Sequence, residues 1–505
     1  MTDRVKILAG AVLLGLLILN YVVTPLAEDQ RINLAYAQQA DDFYGPFPAN
    51  VIQAWTLRGI GYKCLTYFLY KFTRIFADYN DKMRFELVFK ALYAALIVII
   101  LILSTWIARP GWRRLGLEGL SVLFFLGTAF FSLSYECAFQ AEDVAALVMI
   151  LGTALALSEN KVLCGLAGAV LSLLFTLKGI TWLLGLVPLL FLGLYREKFR
   201  RPLIWTGLSF GISSVALAAL IWLLIPQEIT DLRDASRFQS SFRGFGRSLA
   251  GEMFQRLQTI YQFYLQYFFH ISFLIPGFIA GFLLSLYWFE KDLKRLAVYL
   301  SLWLVPGAVI VLQGKGFLYH FAVLLPVAAG SLIALQAAVR RYQLQSRWNG
   351  VILGFPYLLA WLCVGPVSLF PVASSVSHIQ ESRSDVEFYR DLCAKSELDR
   401  QPRLLYLTDG RAAYYFKSQS ESRYFYPLPI KRSLANPGLR DTDLYQDEMQ
   451  RILKYTGKMI VVQDAWFNLD DFPAIRDKIR NEYRPVFQGT VGRHSFTLYE
   501  RASTG

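Results

Sequence analysis

AEDQRINLAYAQQADDFYGPFPANVIQAWTLRGIGYKCLTYFLYK, residues 27–71, is the stretch on which the reading of this chain turns. It follows an apolar run, Val5–Val23, that is long enough to cross a bilayer. Four carboxylates lie in its first half: Glu28, Asp29, Asp41 and Asp42. Pro46 and Pro48 then punctuate the chain. From Ala49 to Lys71, Trp, Tyr and Phe alternate with Arg and Lys, the composition of a helix lying among lipid headgroups. The stretch holds acids near a membrane surface, beside a segment suited to lie on it.

The rest of the chain fits that setting. Of 505 residues, 55% are hydrophobic and 18% charged, and the mean hydropathy is +0.38. Apolar run length gives about eleven spans. They are Val5–Val23, Leu87–Ile107, Leu117–Leu133, Val144–Leu157, Val162–Leu177, Ile180–Leu194, Leu203–Ile225, Ile271–Trp288, Leu296–Leu312, Phe321–Ala338 and Val351–Phe370. The net charge of +13 would suggest nucleic acid in a soluble protein. Membrane topology accounts for it better, and no nucleic-acid partner is expected. Basic clusters recur at every second loop: Arg113 and Arg114, Arg196 to Arg201, Lys291 to Arg295, and Arg340 with Arg341. That alternation places the N-terminus in the cytoplasm and, after an odd number of spans, the tail outside. The five cysteines, at 64, 137, 164, 363 and 393, have neither metal-ligand spacing nor the pattern of a disulfide framework.

The expected architecture is mainly α: a polytopic domain over residues 1–370 and a small extracytoplasmic α/β domain over 371–505. In the tail, a helix is expected at Ser384–Lys395 and a strand at Leu404–Thr408. A helix over Asp443–Tyr455 then leads to a strand at Met459–Val462, and the last strand lies at Phe496–Tyr499. Nearly every polar stretch that the basic-inside pattern leaves over falls in the outer loops 24–86, 134–143, 226–270 and 313–320. A lipid-linked sugar flippase or transporter, the rival class, would instead carry charges deep within its spans.

Candidate groups follow. A carboxylate fixed outside the first span can act as a general base, and Glu28, Asp29, Asp41 and Asp42 compete for that role. They also read as solvated loop charges or, for Asp41 and Asp42, as a turn with Gly45 and Pro46. Glu142 and Asp143 lead into the fourth span; they serve as helix-capping acids or as a second acidic site for acceptor hydroxyls or a divalent metal. No cofactor is certain, and a metal stays an open alternative. Lys178, in FTLKGITW, and Lys315 with His320, in QGKGFLYH, either snorkel and pack or grip a phosphate ester. Arg243 sits in FQSSFRGFGR, which reads as a lid over a lipid phosphate or as a plain surface loop.

Taken together these motifs resemble the GT-C glycosyltransferases, in particular the bacterial branch related to protein O-mannosyltransferases and the lipid A aminoarabinose transferase. The resemblance runs from Val5 to Ala338. It rests on Glu28-Asp29 after the first span, Glu142-Asp143 after the third, TLKG (Thr176–Gly179) and KGFLYHFAVLLP (Lys315–Pro326). It implies a multi-pass enzyme of the bacterial inner membrane. Such an enzyme transfers a sugar, with inversion, from a polyprenyl-phosphate donor to an acceptor hydroxyl of a glycan, lipid or protein. By resemblance Asp29 is the base, and Lys178, Lys315 and Arg243 hold the leaving phosphate. Here the acidic order is Glu-Asp, the reverse of the common one.

The topology has a direct check. A cysteine introduced into the tail is expected to react with a membrane-impermeant maleimide in intact cells. Protection of that tail, with labelling of the Arg196–Arg201 loop, would reverse the assignment.

Overall fold

In the computed structural model the described residues are 3–53, 58–115, 117–132, 139–230, 273–313, 318–341, 379–394, 403–416, 418–422, 426–491 and 494–502, with a few isolated positions between them. They divide into two compact units. The first comprises Met1–Pro25, Leu87–Leu224 and Leu249–Val376; the second comprises Leu26–Glu86, Ile225–Ser248 and Ser377–Gly505.

The first unit is a helical bundle. Where lipid replaces water, every backbone N–H needs a partner within the chain, so apolar runs become helices. Among the described residues, four helices are long and apolar enough to cross a bilayer: Lys82–Ile107, Arg196–Leu224, Leu293–Gln313 and Tyr319–Ala338. At 26 residues, the first of them reaches roughly 39 Å. Shorter apolar helices lie at Gly10–Val23, Gly119–Phe131, Lys161–Leu177, Gly179–Leu194 and Leu274–Phe289. Each expected span from Val5 to Ala338 thus coincides with a helical stretch; the expected span Val351–Phe370 lies outside the described residues. Ile212, Val215, Trp222 and Leu223 on Arg196–Leu224 are exposed, as lipid-facing side chains would be.

Small residues let two of these helices meet closely. A Cβ on Gly168 would lie 2.4 Å from the backbone nitrogen of Phe210. Around that contact Thr206 Oγ1 donates to the carbonyl of Cys164 at 3.2 Å, and Ser209 Oγ donates to that of Gly165. Lys90, buried on Lys82–Ile107, donates its Nζ to the carbonyl of Thr24, just past the C-terminal end of Asp3–Val23. A cation there also meets the negative end of the helix dipole.

The second unit is built on a five-stranded sheet. Its strands are β1 (Arg403–Leu407), β2 (Gln419–Ser420), β3 (Met459–Gln463), β4 (Tyr483–Val491) and β5 (His494–Arg501), in the order β2-β1-β3-β5-β4. β1 pairs in parallel with β2 and β3; β5 runs antiparallel to β3 and β4. The helices Asp443–Lys454 and Pro473–Glu482 cover a core that includes Leu405, Ile460, Val462, Ile452 and Ile475. β1, β3, β5 and the helix Asp443–Lys454 lie within a few residues of the tail expectations, and β2 was not expected.

The acidic stretch forms a 16-residue helix, Glu28–Phe43, followed by Ala49–Gln53 and by the amphipathic helix Ile60–Phe76. The first of these packs against the sheet domain. Gln39 Nε2 donates to Ser418 O and its Oε1 accepts from the N–H of Ser420, each at 3.2 Å, so one amide closes the β2 edge. A Cβ on Gly410 would lie 2.4 Å from Ile32 Cδ1, so glycine permits that approach. Arg31 is buried and pairs with Glu86 at 2.8 Å, while its Nη2 donates to Ser382 Oγ at 2.8 Å. Burial pulls the Arg31 guanidinium down, but the charge and hydrogen bonds of Glu86 more than offset this and hold it above its ordinary value.

The glycine contact yields a stability contrast. Gly168→Leu is expected to lower the thermal midpoint of the purified protein, because backbone atoms stand where its Cβ would go. The typical cost of such overpacking is about 1–3 kcal/mol. At Gly165 a Cβ meets nothing within 4 Å, so Gly165→Leu should cost less. Equal loss in both variants would contradict this packing.

Candidate active site

Within the first unit the chain breaks one helix to build a polar cluster. The helix Leu174–Leu177 ends at Lys178, whose backbone is extended (φ −165°, ψ 112°), and a 3₁₀ turn, Gly179–Gly185, takes over. Thr181 holds the break, donating its Oγ1 to the carbonyl of Leu174 at 2.6 Å and to that of Lys178 at 2.7 Å. Freed backbone groups at a broken helix are tolerated when side chains satisfy them in this way.

The break delivers Lys178 to Glu142. Their Nζ and Oε1 are 2.7 Å apart, and Lys178 also donates to Gln313 Oε1 at 3.0 Å. His320 Nε2 stands 3.8 Å from the same carboxylate oxygen. Glu142, Lys178 and His320 are 0%, 7% and 3% exposed, so this is a buried ion pair with an imidazole beside it. Lys178 is therefore not at an aqueous rim, where a snorkelling lysine would be.

Asp143 faces another way. Its Oδ2 accepts from Tyr93 OH at 2.8 Å and from the N–H of Phe139 at 3.0 Å. Phe139 itself has φ 53°, an uncommon value for a residue with a side chain. Its ring packs edge-on against Phe89 and Tyr93. The two acids at the start of Ala141–Leu157 thus do different things: Asp143 fixes the chain that enters the helix, and Glu142 is committed to the cations.

The acids of the second unit separate in the same manner. Glu28 and Asp29 begin the Glu28–Phe43 helix, where negative charge suits the helix dipole. Asp29 is half-buried and makes no hydrogen bond or ion pair among the described residues. Asp41 is engaged at the other end: it takes Lys71 at 2.9 Å, Arg74 at 2.7 Å and a hydrogen bond from Tyr67 at 3.0 Å. Asp42 accepts from Gln38 at 2.6 Å and lies 3.8 Å from Arg74. These contacts moor Glu28–Phe43 to Ile60–Phe76, a role the sequence reading had not considered beside base and turn. A further buried pair, Lys63 with Glu228 at 3.0 Å, ties Ile60–Phe76 to the start of the loop after Arg196–Leu224. Lys315 and Arg243 lie outside the described residues. No group of three His, Cys, Asp or Glu suited to a metal ion occurs among the described residues.

Sequence reasoning named Glu142, Lys178 and His320 but missed Gln313 and Tyr93. Gln313 had a signal, since it opens the QGKGFLYH motif; Tyr93, mid-helix in an apolar run, had none.

No family model and no curated protein matches the chain. Among solved structures, ArnT from Cupriavidus metallidurans bound to undecaprenyl phosphate matches with a TM-score of 0.54 at 11% identity, over 100% of this chain and 99% of that one. The apo state of the same ArnT gives 0.47 at 13% identity, over 98% and 97%. At such identity the likeness is one of fold. The fold is that of the solved ArnT, and it runs the full length of the chain. The match includes the tail, about which the motifs were silent.

A double-mutant cycle tests the cluster. Glu142→Gln or Lys178→Met alone strands a buried charge and is expected to cost about 3–5 kcal/mol. The double variant should recover most of that, read as thermal midpoints. Strict additivity would mean that the two side chains do not act as a pair.

Proposed function

We propose that this protein is a glycosyltransferase of the inner membrane that moves a sugar from a polyprenyl-phosphate carrier to an acceptor hydroxyl outside the cytoplasm, with inversion. The observation that carries the reading is the buried Glu142–Lys178–His320 cluster at a broken helix, on a fold shared with an enzyme solved with undecaprenyl phosphate. A sugar phosphodiester needs a cation to receive its leaving phosphate, held where water is scarce. Lys178, oriented by Glu142 and Gln313, meets that need, and Lys315 and Arg243 belong to the same proposal.

In this reading the acceptor oxygen attacks the anomeric carbon as the bond from that carbon to the phosphate oxygen breaks. Polyprenyl phosphate leaves with the electron pair, and Lys178 and His320 offset its charge. The acceptor proton passes to Asp29, whose carboxylate is not engaged by any described neighbour; Glu28 is its alternate. Asp41 already neutralises two cations, which weakens its claim to be the base. The eleven-span topology, with an inside N-terminus and an outside tail, completes the proposal.

Release of polyprenyl phosphate from purified protein given polyprenyl-phospho-sugars is the decisive assay. Asp29→Asn is expected to slow turnover by about 100- to 10,000-fold, with donor binding kept. Asp41→Asn should be much milder, since the change weakens only surface pairs. Full turnover in Asp29→Asn together with an inactive Asp41→Asn would move the base to the far end of the helix.

A further inference from the structure

We infer that the first unit carries a second lipid site, for an anionic glycerophospholipid, at the end of the bundle marked by Arg113, Arg114, Lys198 and Arg295. A cavity of about 510 Å³ opens there between helix ends. Those four cations and a single acid, Glu197, line it together with the interface-type aromatics Tyr287 and Trp288. None of the Glu142–Lys178–His320 cluster lines it, and the inference stands independently of the proposed activity.

Charge is left over at this mouth. Arg114 pairs with Glu159 at 2.6 Å, and Arg295 pairs with Glu197 at 2.9 Å and Asp292 at 3.2 Å. Among the described residues, Lys198 donates only to a backbone carbonyl, that of Arg114, at 2.8 Å. Arg113 is exposed and has no acidic partner among the described residues. Two cations without a carboxylate among the described residues, beside two that are paired, suit a phosphate.

Below the mouth the lining changes character. A smaller cavity of about 80 Å³ shares Phe191, Leu194, Gly330, Ile333 and Ala334 with the larger one. Its remaining walls are mostly apolar, among them Leu126, Met149, Ile150 and Val187, with the hydroxyl-bearing Thr153, Tyr299 and Ser331 beside them. That volume has room for several water-sized groups, such as the methylenes of one chain. Trp112 also lines it; this side chain is 7% exposed and its buried indole N–H has no partner among the described residues. Such an orphan donor asks for an acceptor. A glycerophospholipid supplies the three chemistries that the site presents: a phosphate for the basic mouth, an ester carbonyl for the indole N–H, and an acyl chain for the apolar recess.

The test uses the full-length protein in neutral detergent, with native mass spectrometry to count retained lipid. Phosphatidylglycerol should be retained at one per chain, phosphatidylcholine far more weakly, and inorganic phosphate should not displace the lipid. Arg113→Gln combined with Lys198→Gln should weaken phosphatidylglycerol retention about tenfold, the equivalent of roughly one charge-assisted hydrogen bond. Gly330→Leu should do the same with every charge intact, since Gly330 borders both cavities and a Cβ there meets nothing within 4 Å. An unchanged thermal midpoint in each variant separates lost binding from lost folding; a variant that unfolds is replaced by Arg113→Gln or Gly330→Val alone. Equal retention of the two lipids, or wild-type retention in the folded variants, overturns the site. Full displacement by inorganic phosphate overturns the lipid and leaves a free-anion site.

Discussion

Arg31 cannot be buried without Glu86. A guanidinium taken out of water costs several kcal/mol unless a carboxylate and further acceptors meet it. Here Glu86 takes two of its nitrogens, Ser382 a third contact, and the rings of Tyr414 and Tyr415 stand 6.0 Å from it. Three separate stretches of chain are thereby committed to one point: the acid-bearing helix Glu28–Phe43, the start of Lys82–Ile107 and the tail. Gln39 and the Gly410–Ile32 contact repeat the commitment further along the same helix. Asp29 and Asp41 are carried on a helix whose position follows from that charge requirement, in place of a free loop.

The same rule shapes the other unit. Glu142, Lys178 and His320 are buried together because none is affordable alone, and the helix break at Lys178 is what allows them to meet. A straight helix through Thr176–Gly179 would keep its backbone bonds and lose this convergence. Thr181 takes up the freed carbonyls, so the break is satisfied locally. A pre-set cation of this kind is what a leaving phosphate requires, since nothing then has to reorganise as charge develops.

Much of this was legible in the sequence, and for identifiable reasons. Apolar run length marked the helices from Val5 to Ala338 because lipid permits few other structures for such runs. Short continuous apolar runs, the first ending at the Asp409-Gly410 turn, marked β1 and β3. The Glu28–Phe43 helix went unread: its interior is polar, Gln38 and Gln39 among it, because it buries against sheet edges and a charged knot where hydrogen bonds do the packing. Lys178 was legible as a cation of interest but not as buried, since its partner lies 36 residues away on another helix. The ties of Asp41 to Lys71 and Arg74 depend on how two helices cross, which local pattern does not encode.

The Arg31–Ser382 contact joins residues 351 apart in sequence, and Gln39 meets Ser418 across 379. A ribosome delivers Glu28–Phe43 long before the tail. Throughout insertion of the intervening spans, this helix has its charges and its Gln39 amide but none of the groups in the tail that will satisfy them. Its final position is set only after residues 382 and 418 have been made. The order of manufacture and the order of completion are therefore opposed: a segment made early is finished late, and a chain halted before residue 382 would hold its acidic helix without that anchor.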